Sequence, residues 1–204
     1  MVDAHVQRTR TAERTAEPGD NSRLTAATAA VLLVLLAVEG ATLLSLQTFI
    51  SWHIVVGMLL VPIVALKLAS TGYRFARYYL RNEAYVRAGP PPLPLRLLGP
   101  VLIVATVGLF ATGIALVGLG PGAPLVLLLH KASFAVWVGA LTIHVLWHLA
   151  PMTRLASRDV TSVPRETGSR LRLTAVATAV TTGAILAVAT FPLVAPWADR
   201  VGGG

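Results

Sequence analysis

Residues 125–149 read LVLLLHKASFAVWVGALTIHVLWHL, a run of 25 residues with one charged side chain, Lys131, and three histidines, His130, His144 and His148. A helix needs roughly 20 apolar residues to cross the hydrocarbon core of a bilayer, and this run is long enough. Four other stretches meet the same test, from about Leu24 to Leu46, Phe49 to Ala69, Leu97 to Leu119 and Leu173 to Val194. The whole chain agrees with them. Of its 204 residues 55% are hydrophobic and 13% charged, against about 25% charged in soluble chains. Mean hydropathy is +0.71. The sequence therefore predicts an all-α fold, a polytopic membrane bundle of five transmembrane helices.

The charges divide the connections into two kinds. Four arginines, Arg8, Arg10, Arg14 and Arg23, precede the first stretch. Arg74, Arg77, Arg81, Arg87 and Arg96 follow the second, and Arg154, Arg158, Arg165, Arg170 and Arg172 follow the fourth. The connections around Gln47–Ser51 and Gly120–Pro124 carry no charge. Excess Lys and Arg marks the cytoplasmic side, and with five crossings all three basic segments fall on one side. The expected organisation is a disordered cytoplasmic tail at 1–22, a five-span domain at 23–196 and a short external tail at 197–204. The protein is expected in the plasma membrane, N-terminus inside and C-terminus outside. The net charge of +8 then reflects topology and contact with the lipid bilayer, not nucleic acid. The first apolar run is too long for a signal peptide and lacks a suitably placed small-residue cleavage site.

The chain has no cysteine. That excludes disulfides, zinc–thiolate sites, iron–sulfur ligation and covalent c-type haem attachment, and leaves five histidines as the soft ligands. His5 lies in the tail. The others lie in expected spans, where ionisable residues are costly and mark function by default. His130 and His144 are 14 residues apart, about 40° short of four turns and about 21 Å along the axis. One helical face reads His130, Phe134, Trp137, Leu141, His144, His148, with polar ligands at both ends. His53 and His130 each sit a few residues below the outer start of their own span. Two imidazoles at equal depth on different helices are what a six-coordinate haem iron requires. Gly57, one turn below His53, would let a flat macrocycle approach the backbone. Trp52, Phe134 and Trp137 would wall the pocket. Lys131 would meet a propionate or snorkel to the interface.

Paired histidines 14 apart on one span, facing a histidine on another, resemble the membrane cytochromes b, among them the haem-bearing membrane subunits of bacterial respiratory hydrogenases and formate dehydrogenases. The segments Arg74-Phe75-Ala76-Arg77-Tyr78-Tyr79, Gly89-Pro90-Pro91 and His130-Lys131-Ala132-Ser133-Phe134 also resemble an uncharacterised actinobacterial membrane protein group. The resemblance covers about residues 50–150. It implies a four-helix haem-binding core plus one helix, with haem b as cofactor and iron ligated by His53 and His130. It departs from the dihaem pattern at Lys67, which stands 14 residues after His53 where a fourth histidine is usual. One haem is the expected count. A second, using His144 or His148, is left open.

The expected function is electron transfer within the membrane, between quinone or a cytoplasmic donor and an extracytoplasmic redox partner. The chain would then be the electron-transfer subunit of a respiratory oxidoreductase, not a self-contained enzyme. The alternatives are a non-redox membrane subunit or assembly protein with structural histidines, or a small transporter using Glu39, Lys67, His144 and His148. No catalytic triad, Walker loop, dinucleotide-binding glycine pattern or zinc-protease motif is present. Arg74, Arg77 and Arg81 share a helical face with interleaved aromatics, suited to headgroups. Gly89-Pro90-Pro91-Pro92-Leu93-Pro94 is expected to be a stiff link. Gly108, Gly113, Ala179 and Gly183 are among the small residues expected to form helix-packing surfaces.

Overall fold

A computed structural model describes residues 24–25, 27–87, 93–156 and 169–202, with side chains described at these except 95, 148–156, 169–172 and 201–202. The tail at 1–22, residues 88–92 of the proline link, Arg158 and Arg165, and the side chain of His148 lie outside the described residues. No strand occurs among them. The elements are α1 (27–42), a 3-10 turn at Leu43–Ser45, α2 (Leu46–Tyr79), α3 (Glu83–Arg87) and α4 (Leu93–Leu119). A 3-10 turn at Gly120–Gly122, α5 (Pro124–Ala156), α6 (Ser169–Thr190), a 3-10 turn at Phe191–Val194 and α7 (Ala195–Gly202) complete them.

Four helical runs are long and apolar enough to cross a membrane: Ala27–Tyr79, Arg96–Gly122, Pro124–Trp147 and Leu173–Arg200. Their apolar residues point outward. At most 28% of the most apolar window of any run is buried, and Val104, Leu173 and Val188 are among many large side chains fully turned to the surroundings. Water tolerates no such continuous apolar surface on a lone soluble chain. Lipid does.

The first run is not straight. A continuous helix would hold residues 25 and 70 roughly 67 Å apart at 1.5 Å per residue, yet the Thr25 hydroxyl donates to the Ser70 hydroxyl across 3.2 Å. The chain reverses between Leu43 and Phe49. Ser45 is extended (φ −146°, ψ 73°) and Phe49 leaves helical geometry (φ −111°, ψ 16°). Helix α1 therefore lies antiparallel to α2, and Leu32 joins Val56, Leu60, Ile63 and Val64 in the core.

Helix α2 is the hub. Beyond the break at Phe49, residues 50–79 would run about 45 Å, against the roughly 30 Å of a hydrocarbon core. The arginine–aromatic face thus belongs to a helix end. Arg77 lies over the rings of Tyr73 (5.7 Å) and Tyr85 (6.0 Å). The helix stops in a Schellman motif: Arg81 takes a left-handed φ of 57°, its N–H donates to Tyr78 O (3.1 Å), and the Asn82 N–H donates to Arg77 O (3.0 Å).

Two seams organise the remainder. α2 packs along α6, and α4 along α5. Leu93 and Pro94, expected in the extended link, form the first turn of α4, where proline is tolerated because its missing N–H has no helical acceptor. The segment expected as a tail at 197–204 continues in helix as far as Gly202. Ala195–Gly202 is helical, Trp197 and the preceding Val194 are buried, and α7 packs on α2 and on the Gly120–Gly122 turn. Arg200 ties it there by donating to Pro121 O.

Candidate functional site

His53 sits near the start of α2, beside the reversal. Its Nδ1 lies 2.8 Å from Glu39 Oε1 and 3.2 Å from Thr42 Oγ1. The Thr42 hydroxyl hydrogen is already committed, donating to Glu39 O across 2.6 Å. Thr42 can therefore only accept from the imidazole. That places a proton on Nδ1, and a neutral ring then has its lone pair on Nε2.

His130, near the start of α5, repeats the arrangement on a different helix. Its Nδ1 lies 3.1 Å from Leu109 O and 3.2 Å from Thr112 Oγ1. A carbonyl accepts only, and the Thr112 hydroxyl donates to Gly108 O across 2.6 Å. Again Nδ1 carries the proton and Nε2 the lone pair. Among the described residues neither Nε2 has a hydrogen-bond partner.

This tautomer has chemical consequences. A metal-ligating imidazole characteristically donates its other N–H to a carboxylate, carbonyl or hydroxyl, which fixes the ring and raises its basicity. The donor set would suit haem ligation: two imidazoles, each anchored through Nδ1, on α2 and α5, helices whose main partners are α6 and α4 respectively. No cluster of three or more His, Asp or Glu side chains able to hold a metal ion occurs among the described residues. A haem asks for two axial ligands, the macrocycle supplying the other four.

The expected face of α5 is present. His130, Phe134, Trp137, Leu141 and His144 are all partly buried while Lys131, Val136, Val138 and Leu146 are exposed. That face is turned to α4. Trp137 Nε1–H donates to Thr106 Oγ1 (3.1 Å), and its ring stacks near Phe134 with centroids 6.4 Å apart. His130 is consequently anchored on α4 and does not simply point across at α2.

Trp52, expected in the pocket wall, is 62% exposed. Gly57, expected to admit a macrocycle, lies beside the Glu39 carboxylate, with Oε1 3.6 Å from the position of a Cβ. Lys67, at the position of the missing histidine, donates to Thr25 O (2.9 Å) and fastens the start of α1 to α2. His144 is partly buried and engaged with a neighbour.

In sequence Glu39 stands out only for the transporter alternative, and Thr112 and Gly113 only as small packing residues; Thr42 carries no signal. A Cβ on Gly113 would stand 3.2 Å from His130 Cε1, so glycine there lets the ring lie against α4. One signal was available: folding the chain at Leu46 sets Glu39 opposite His53, seven residues to either side. Comparison with protein-family models, curated proteins and solved structures finds no match.

Proposed function

We propose that this chain is a five-crossing membrane protein of the plasma membrane in which His53 and His130 are the axial ligands of one b haem near the external face. It would pass electrons between quinone or a cytoplasmic donor and an extracytoplasmic redox partner. The observation that carries the proposal is the duplicated anchor. Each histidine gives its Nδ1 proton to acceptors on a neighbouring helix, including a threonine whose own hydrogen is spent, and each keeps Nε2 as a base. Bound between them, a haem would supply a one-electron iron couple. The chain's own work is to hold both rings in one tautomer, surround them with apolar side chains such as Phe134, and cap that end with α7. Lys131, exposed beside His130, is placed to meet a propionate or a headgroup.

The reversal inside Ala27–Tyr79 supports counting this run as two crossings. The basic connections then share the inner side, as the positive-inside rule requires, and the N-terminus is cytoplasmic with the C-terminus outside. A phosphatase fused after Gly204 should be active and a fluorescent protein dark; the reverse result would mean an even number of crossings.

A reduced-minus-oxidised absorbance spectrum of the purified chain tests the function. A sharp b-type α band is expected. A protein that takes up no haem under adequate supply would overturn the reading. It would favour the second one, a non-redox subunit with structural histidines, for which the specific support is that both rings already bind neighbouring helices through Nδ1.

A further inference from the structure

We propose that Glu39 is a positioning residue for His53, a carboxylate placed in the membrane to orient this ligand and to make it the more electron-rich of the pair. The inference rests on the haem reading and adds a role for a residue outside the ligand set.

Glu39 is the one acidic residue in the first expected span, and an acidic side chain there is expensive unless it faces a partner. Its partner is a single atom. Oε1 meets His53 Nδ1 at 2.8 Å. Gly57, one turn after His53, lies beside the same oxygen, which is at ordinary contact distance, 3.6 Å, from the position of a Cβ. Thr42, one turn after Glu39, returns its hydroxyl hydrogen to Glu39 O and so is left as a second acceptor for the same imidazole proton. The carboxylate side chain retains 15% exposure, while Oε2 is buried without a hydrogen-bond partner. A group kept for packing or assembly alone would gain from pairing both oxygens. Here one oxygen is directed at the imidazole and the other is left unpaired, which is tolerable where the charge itself has a use.

The two histidines are therefore unequal. His130 gives its proton to a neutral carbonyl, Leu109 O, and a hydroxyl. His53 gives its proton to a carboxylate and a hydroxyl. A hydrogen bond to an ionised acceptor is about twice as strong as one between neutral groups, and it draws the Nδ1 proton further from the ring. That raises electron density at Nε2 and favours the oxidised iron, lowering the reduction potential. Through-space attraction between the carboxylate and the extra positive charge of oxidised iron acts in the same direction.

The test uses the full-length chain in detergent with haem added to the apo-protein. Glu39→Ala removes the acceptor, and its haem affinity should fall by roughly tenfold to a hundredfold, the range seen when such supporting partners are lost. Glu39→Gln keeps an acceptor oxygen at the same reach but removes the charge. It should bind haem nearly as well as the parent and titrate at a higher midpoint potential. Thr42→Val, which retains the carboxylate, should leave the potential close to the parent value. A purely structural role would move affinity and thermal stability together in both Glu39 variants without this split. If Glu39→Gln binds haem with the parent's affinity and the parent's potential, the positioning role is wrong while haem binding by His53 and His130 stands. If the parent protein takes up no haem, the underlying reading falls and this inference with it.

Discussion

The α2–α6 seam and the α4–α5 seam hold helices together by different physics. Between α2 and α6 the contact is apolar and close. Gly183 presses against Leu59 O, and Val56, Leu60, Ile63 and Val64 pack with Ala179. Between α4 and α5, close contact at Gly108 and Gly113 is joined by hydrogen bonds: His130 to Leu109 O and Thr112, and Trp137 to Thr106. Lipid tails are as apolar as leucine, so helices in a bilayer associate through close van der Waals packing or through polar contacts, and the α4–α5 seam uses both. The apolar seam can only be structural. The polar seam has side chains with chemistry left over, and His130 Nε2 is the clearest case.

The sharpest way to break this contrast is to fill the apolar seam. Gly183→Ala drives a methyl group into the Leu59 backbone, which cannot swing aside as a side chain can. Overpacking costs about 1–3 kcal/mol or more, and thermal unfolding in detergent should show a marked loss of stability.

The matching glycine in the polar seam should behave differently. Gly113→Ala places a Cβ about as close as 3.2 Å to His130 Cε1, and an imidazole can give way by a few tenths of an ångström. The helices should stay together, so unfolding temperature should change little. Haem affinity should fall severalfold, because the ring moves away from Leu109 O and its Nε2 is re-aimed. A variant that lost stability as Gly183→Ala does, with haem affinity intact, would reverse the roles given to the two seams.

The smallest effect is expected at Trp137→Phe. It removes the 3.1 Å hydrogen bond to Thr106 while keeping an aromatic ring on the face. Polar contacts between membrane helices average about 0.6 kcal/mol, so unfolding should shift slightly and the haem spectrum should be unchanged. A loss of several kcal/mol would show that the polar seam depends on this single bond.

Much of this was legible in the sequence because apolar length and arginine placement are one-dimensional signals. The four long apolar helices and the partly buried face from His130 to His144 follow from hydropathy and a 3.6-residue period. The supporting residues were harder to read. Glu39 meets His53 because the chain reverses at Leu43–Phe49, and the partner of a hairpin residue depends on where the turn falls. The direction Trp52 faces likewise depends on which neighbours α2 takes, and the sequence does not name them. The continuation of helix through Leu93–Pro94 and through Ala195–Gly202 follows the same rule. Proline and a short polar stretch read as breaks until packing on other helices makes helix the better state.

The central claim is that His53 and His130 together bind one haem, and haem content per chain in single alanine variants tests it most directly. The purified parent is expected to carry one haem with a low-spin spectrum. His53→Ala and His130→Ala should each insert normally, since insertion follows span hydrophobicity, and each should lose the low-spin haem, while His144→Ala should keep it. A His53→Ala or His130→Ala protein that retained the full low-spin spectrum would contradict the pairing.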